Sequence, residues 1–214
     1  MMKKHVFPLL LIGITILIWV IALPKLPAEL PVHWNFNGEV DRYESKAGAM
    51  LSMVGMMVLI YGLFVVVPRI DPQKANYKYF TKGYGIIVNS VLALMAIVNI
   101  LTVLAGLGYD IPIGTLGNYV LGAIFIIVGN FMQQVRTNYF IGIRTPWTLC
   151  SETVWKKTHR LAGKVFFLGG LLIILAAFLP TDWKPAVTLT VVIITAGLPL
   201  AYSYWLYKKE IGKM

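Results

Sequence analysis

The sequence is short of cysteine, acid and charge in general, and each shortage excludes a class of protein. A single cysteine, Cys150, rules out an internal disulfide and a four-thiolate metal site. Charged residues form only 13% of the 214 residues, about half the share usual in soluble domains. No nucleophile–base–orienter set and no phosphate-binding glycine loop is present. Charge is also missing from the middle of every long apolar run, where intramembrane charges would mark a proton relay, an ion path or a voltage sensor. No inverted internal repeat of the transporter kind is visible.

What the chain does have is apolar length. Hydrophobic residues make up 58% of it, gathered in runs about long enough to cross a bilayer, which takes roughly 17–25 residues. Six such runs stand out: Val6–Leu23, Ala49–Val67, Gly83–Ala105, Leu116–Met132, Ala162–Leu179 and Ala186–Tyr207. Backbone polar groups inside a bilayer must bond within their own segment, and no barrel-like alternation is present, so these runs predict helices. The first run follows Lys3 and Lys4 as a signal peptide would. It is longer than a signal core and Pro24 follows it with no small-residue cleavage site, so it reads as an uncleaved anchor. The expected fold is all-α: a polytopic six-helix transmembrane bundle with a short extracytoplasmic β-hairpin and a cytoplasmic interfacial helix. Two units are expected, residues 1–67 with two helices and an outer loop, and residues 68–214 with four helices and an inner loop.

Basic residues settle the expected orientation. Fifteen of the nineteen Lys and Arg fall at the N-terminus, in the second-to-third and fourth-to-fifth connections, and at the C-terminus. Lys25, Arg42, Lys46 and Lys184 lie on the alternate side. The positive-inside rule then places both termini in the cytoplasm. The net charge of +10 is therefore a signature of topology and implies no nucleic-acid partner. Asn89, Asn99 and Asn130, inside the runs, are expected to bond between helices.

The outer segment PKLPAELPVHWNFNGEVDRYESKAG carries three prolines and then a hairpin signal, Asn37-Gly38, between runs rich in aromatic and β-branched residues. A two-residue turn would pair Phe36 with Glu39, Trp34 with Asp41 and Val32 with Tyr43, and would set Asn35 beside Val40 and His33 opposite Arg42. His33 with Glu39, Asp41 and Glu44 could serve as a metal or acid–base site, but this register holds His33 away from the acids. The remaining readings are a rigid hairpin whose Trp34 and Tyr43 rest among headgroups, and a recognition surface for something arriving from outside.

The inner segment QQVRTNYFIGIRTPWTLCSETVWKKTHRLAGK is the other concentration of unusual residues. Pro146 suits the first turn of a helix capped by Thr145, or Ser151 caps a later start. At about 100° per residue, Trp147, Ser151, Trp155 and His159 share one arc, and Lys156, Lys157, Arg160 and Lys164 gather on the other side. That is an amphipathic interfacial pattern, with aromatics towards lipid or bundle and cations towards anionic headgroups. A docking site formed by Arg144, Trp147, Trp155, His159 and Asn138 is the functional counterpart.

Together the motifs LPxxLPVHWNxxGExDxYxSK and NYFIGIRTPWTLxSExVWKKTHRLxGK resemble the two signatures of the SdpI-type immunity proteins of Bacillus-like bacteria, the first lying in their N-terminal domain of unknown function. The resemblance covers nearly the whole chain. It implies no enzyme and no cofactor or metal, but a plasma-membrane protein that protects its cell against a secreted, membrane-active peptide toxin. It further implies a signalling role in which a cytoplasmic transcriptional repressor is held at the membrane. Positions matching the outer signature, and so candidates for toxin recognition, are His33, Trp34, Asn35, Gly38 and Asp41. Those matching the inner signature, and so candidates for cytoplasmic docking, are Asn138, Gly142, Arg144, Thr145, Pro146, Trp147, Thr148, Trp155 and His159. The alternative from a different class is a small membrane enzyme or transporter that uses the polar loop residues. It would need a convergent polar cluster at one depth, which the spacing does not provide.

The charge asymmetry makes a direct prediction for Cys150, which falls in the inner segment. In intact cells it reacts with a membrane-permeant maleimide and resists an impermeant one; efficient labelling by the impermeant reagent would overturn the orientation.

Overall fold

The computed structural model describes residues 3–35 and 38–211. Along the chain run α1 (Lys3–Ala22), β1 (Glu29–Trp34), β2 (Val40–Ser45), α2 (Lys46–Ile70), a 3-10 turn (Lys74–Tyr79), α3 (Thr81–Gly106), α4 (Ile113–Met132), α5 (Pro146–Cys150), α6 (Glu152–Ala176) and α7 (Lys184–Ile211). Among the described residues every α-helix except α5 is long and apolar enough to cross a membrane, which gives the six expected spans, and the two strands form one small sheet. Their surfaces invert the soluble pattern: Leu10, Leu17 and Ile21 on α1, Leu51 and Leu59 on α2, and Leu172 and Leu175 on α6 are all exposed. Contiguous apolar surface of this kind is what lipid covers.

The chain divides into two compact units, one of residues 1–65 and 88–117, the other of residues 66–87 and 118–214. In the first, Trp19 of α1 is completely buried and its indole Nε1 donates to Asn99 Oδ1 of α3 at 2.8 Å. Asn99 Nδ2 turns back to Met95 O, so the amide spends both ends inside the membrane. Each such interhelical bond contributes roughly 0.6–2 kcal/mol where the alternative is an unpaired polar group in hydrocarbon. The expectation for Asn99 therefore holds, whereas Asn130 lies exposed on α4. The segment between α1 and the hairpin is pinned from two directions. Lys46 Nζ donates to the carbonyls of Leu23 and Leu26 just past the end of α1, where a cation and a donor are both favoured. Leu26 and Leu30 are buried against Gly106, where any Cβ would run into both leucines.

In the second unit the decisive contact is glycine on glycine. A Cβ built at Gly122 of α4 would lie 2.7 Å from Gly170 O of α6, and one at Gly129 would lie 2.8 Å from Gly163 O. Both pairs are spaced seven residues apart, so on antiparallel helices they recur on the same seam two turns apart. Only hydrogen fits there, and the two backbones touch. Asn118 Nδ2 adds polar ties from α4 to Ile173 O at 3.3 Å and to Thr188 Oγ1 of α7 at 3.1 Å. On the other side of α6, Gly169 receives the side chain of the buried Thr195.

Gly129→Ala is expected to lower stability by about 1–3 kcal/mol through overpacking, although alanine is by itself the better helix former. At Gly117, a helical position with open space around it, the same change is expected to be neutral or stabilising by up to about 1 kcal/mol. Thermal unfolding of both variants in detergent measures the contrast, and equal midpoints would dismiss the glycine seam.

Candidate functional site

The outer hairpin departs from the simple register, and the departure creates its chemistry. The strands pair Glu29 with Ser45, Leu30 with Glu44, Pro31 with Tyr43, His33 with Arg42 and Trp34 with Val40. His33 does face Arg42, but Trp34 meets Val40 in place of Asp41. The pairing slips once at Val32 on β1 and once at Asp41 on β2, each residue standing as the extra one in a bulge. Released from a cross-strand partner, Asp41 reaches His33: the imidazole Nδ1–H donates to Asp41 Oδ1 at 2.6 Å. This corrects the expectation that the register separates His33 from the acids. The pair is open to solvent, with side chains 57% and 42% exposed.

Asn35 and Gly38 close the loop. Asn35 N donates to Glu39 O and Gly38 N to Asn35 O. Asn35 Oδ1 accepts from Glu39 N, and Nδ2 donates to Glu39 Oε2. These bonds join Asn35 to Glu39 across three positions where the sequence predicted a two-residue turn, and Gly38 takes the positive φ of 83° that such loops require of their last residue. Phe36 and Asn37, with the pairing and turn assigned to them, lie outside the described residues. His33 and Asp41 are thus brought together, as are Asn35 and Gly38, while the half-buried Trp34 stands apart from both pairs.

The inner candidates lie in the second unit, around the irregular stretch between α4 and α6. Asn138, fully buried, replaces the missing regular backbone bonds: its Oδ1 accepts from Phe140 N and Ile141 N, and its Nδ2 donates to the carbonyls of Arg136 and Ile141. Both proposed caps are used. Thr145 caps α5 and forms a reciprocal box with Thr148, and Ser151 caps α6, so α5 and the first turns of α6 occupy the amphipathic stretch. α7 holds both caps: Thr145 Oγ1 lies 3.2 Å from Ser203 Oγ, and Ser151 Oγ donates to Glu210 Oε2 at 2.6 Å.

Trp155 and His159 share a face of α6 and are both buried. Their rings stack at 4.0 Å and 19°. Trp155 Nε1 donates to Val135 O just past the end of α4. His159 Nδ1–H donates to Trp155 O, and Nε2 accepts the Ile143 amide at 3.0 Å, which assigns the neutral Nδ1-protonated tautomer. Gly142 makes that contact feasible: its φ is 104°, and a Cβ there would collide with His159 Nε2. Arg144 is exposed and its guanidinium donates to Tyr139 O at 2.7 Å. Pro146 is exposed, and half-buried Trp147 packs on Tyr204, ring centres 4.9 Å apart. The candidates therefore divide into a buried frame (Asn138, Thr145, Thr148, Trp155 and His159) and an accessible edge of Arg144, Pro146 and Trp147.

Sequence reading missed the acid beneath this frame. Asp71, just past α2, is buried and accepts from Gln73 N, Tyr77 OH and Tyr139 N. Burial first, and then the bond to Asp71, push the Tyr77 hydroxyl well above the usual tyrosine range, so it stays a donor. Asn76 Nδ2 adds a bond to Thr137 O. One signal was available: Asp71 is the sole acid among Arg69, Lys74, Lys78 and Lys82 in that connection. Among the described residues, no three of His, Cys, Asp and Glu converge as metal ligands would.

Fold and sites together define a multi-pass membrane protein with a small hairpin between its first two spans and a hydrogen-bonded loop between its fourth and fifth. The chain belongs to the SdpI/YfhL protein family, whose model matches residues 134–203. Residues 10–58 match a second model, a domain of unknown function named DUF1648. The immunity protein SdpI of Bacillus subtilis (strain 168) is 30% identical over 211 residues, covering 99% of both chains. No solved structure matches.

His159→Phe keeps the ring stack but leaves the Ile143 amide without its acceptor, a loss of about 1–3 kcal/mol. Gly142→Ala adds a collision at the same point and backbone strain of about 1–2 kcal/mol. Both are expected to raise amide exchange over residues 139–148. Unchanged exchange in both would show that this contact does not hold the loop.

Proposed function

We propose that this protein confers immunity, in the bacterial plasma membrane, on a cell exposed to a secreted membrane-active peptide toxin. The observation that carries the reading is the end-to-end similarity to a protein named for immunity, with both signature segments included. In this reading both termini are cytoplasmic, in accord with the basic asymmetry. Residues 1–67 meet the toxin through His33, Trp34, Asn35, Gly38 and Asp41. The hairpin supports this role because it offers an exposed imidazole–carboxylate pair on a closed turn. Catalysis plays no part, and protection arises from binding.

Residues 68–214 pass the event inward by docking a cytoplasmic repressor on the inner loop. Arg144, Pro146 and Trp147 offer the contact surface, since tryptophan and arginine are favoured at binding hot spots. The buried members hold that surface in place. Arg144 presents a planar donor fork that lysine does not copy.

The test is survival and membrane potential of a toxin-sensitive, immunity-deleted strain expressing the protein under purified toxin. Wild type is expected to protect. Gly38→Val forces a β-branched residue into positive φ at a cost of about 1–2 kcal/mol, and is expected to abolish protection at normal membrane abundance. Arg144→Lys and Trp147→Ala are expected to protect fully yet release a tagged repressor from the membrane fraction. No protection by the wild type would sink the immunity reading. Full protection by Gly38→Val would remove the hairpin from it.

A further inference from the structure

We propose that the groove between the start of α6 and the end of α7 is a specific binding site for an anionic phospholipid. The groove encloses about 430 Å³ and is lined by Val154 and Lys157 of α6 and by Tyr202, Trp205, Leu206 and Lys209 of α7. Its floor is apolar, since Val154 and Leu206 are buried. Its wall is aromatic: the Tyr202 and Trp205 rings lie 5.8 Å apart and nearly parallel, and Trp205 is 53% exposed. Its rim is cationic. Lys209 Nζ sits 5.1 Å above the Trp205 ring, and Lys157 faces it from the first turns of α6.

The two rim lysines are available to an anion. Glu152 holds Lys156 at 2.8 Å, but among the described residues no carboxylate lies within ion-pair distance of Lys157 or Lys209. Glu210 also lines the groove, with its Oε2 taken by Ser151 Oγ. The depth selects the ligand. Both helices are membrane spans, and these residues occupy their ends on the side of the inner loop, where tryptophan and lysine mark the headgroup layer. Away from the rim, Leu168 and Leu172 of α6 and Leu198 of α7 expose apolar surface for an acyl chain. A soluble anion would use the lysines alone, whereas an amphiphile uses rim, wall and flank together. A phosphodiester headgroup with no cation of its own suits two lysines; a zwitterionic headgroup brings an ammonium that they repel.

Native mass spectrometry of the purified full chain, offered equal amounts of phosphatidylglycerol and phosphatidylethanolamine, tests the site. Wild type is expected to retain phosphatidylglycerol in roughly fivefold preference or more. Lys157→Gln with Lys209→Gln is expected to bring the preference near unity. Lys157→Arg with Lys209→Arg keeps the charge and is expected to keep the preference, which separates loss of charge from loss of fold. Lys74→Gln with Lys82→Gln removes equal charge elsewhere and is expected to leave it unchanged. Equal retention of the two lipids by the wild type overturns the proposal, as does an undiminished preference in the first pair or an equal loss in the control pair. Displacement by soluble glycerol phosphate at matched concentration would also overturn it, because the acyl chain would then contribute nothing.

Discussion

The architecture of the inner loop depends on two helices being allowed to touch. Lipid chains are as apolar as leucine, so burying side chains between membrane helices gains little from the hydrophobic effect; association rests on close packing and on polar bonds. Glycines at 122 and 129 of α4, matched by 163 and 170 of α6, remove every atom that would hold the backbones apart. The approach sets how far the end of α4 lies from the start of α6. Val135 O thereby falls within 2.9 Å of Trp155 Nε1, and one turn further along α6 His159 meets the returning chain at Ile143. A bulkier seam would move the carbonyl out of the indole's reach, and the loop would lose its anchor before any loop residue changed.

Past α4 the chain has no helical partner for its amides, and it uses side chains in their place. Asn138, Asp71, Thr148 and His159 each accept a backbone N–H from residues 139–145. These acceptors come from four separate places: the α2–α3 connection, the loop itself, α5 and α6. Leaving any such group unpaired when buried costs about 1–3 kcal/mol, so the loop conformation is over-determined. That explains why the stretch of residues 133–145, which has no helix or strand, can hold Gly142 at a φ of 104° and carry Arg144 and Trp147 on a defined edge.

Helices and caps were legible because their causes are local. Run length gives the spans, and Thr145, Pro146 and Ser151 announce the starts of α5 and α6 in their own side chains. Gly38 was legible for the same reason. The double bulge of the hairpin was not, because alternation in Val32–Trp34 and Val40–Tyr43 is compatible with an unbroken ladder, and tertiary contacts such as the packing of Leu30 against Gly106 and the pinning by Lys46 restrict how the strands meet. Asp71 was overlooked because a single acid beside four cations reads as a neutralised surface position, and its partners Tyr77 and Tyr139 are brought to it by tertiary structure. The glycine seam was equally hidden: glycine is common in membrane helices, and a spacing of seven acquires meaning only once α4 is known to lie against α6.

The two signature segments are held by different physics, and that difference bears on what each can do. The hairpin's His33–Asp41 pair is largely exposed, and contacts of that kind contribute about 0–1 kcal/mol. Its loop bonds from Asn35 to Glu39 are likewise open to water, which can replace them at little cost. A ligand arriving at this surface can therefore exchange those partners for its own without unfolding anything beneath. In the inner loop the side chains that accept the comparable bonds, Asp71, Asn138, Thr148 and His159, are buried, and water replaces them less readily. A partner that docks there meets a surface already in shape and loses little conformational freedom in fixing it, which favours binding by preorganisation. Adaptable contacts suit the hairpin to capture, and rigid ones suit the inner loop to presenting a constant surface.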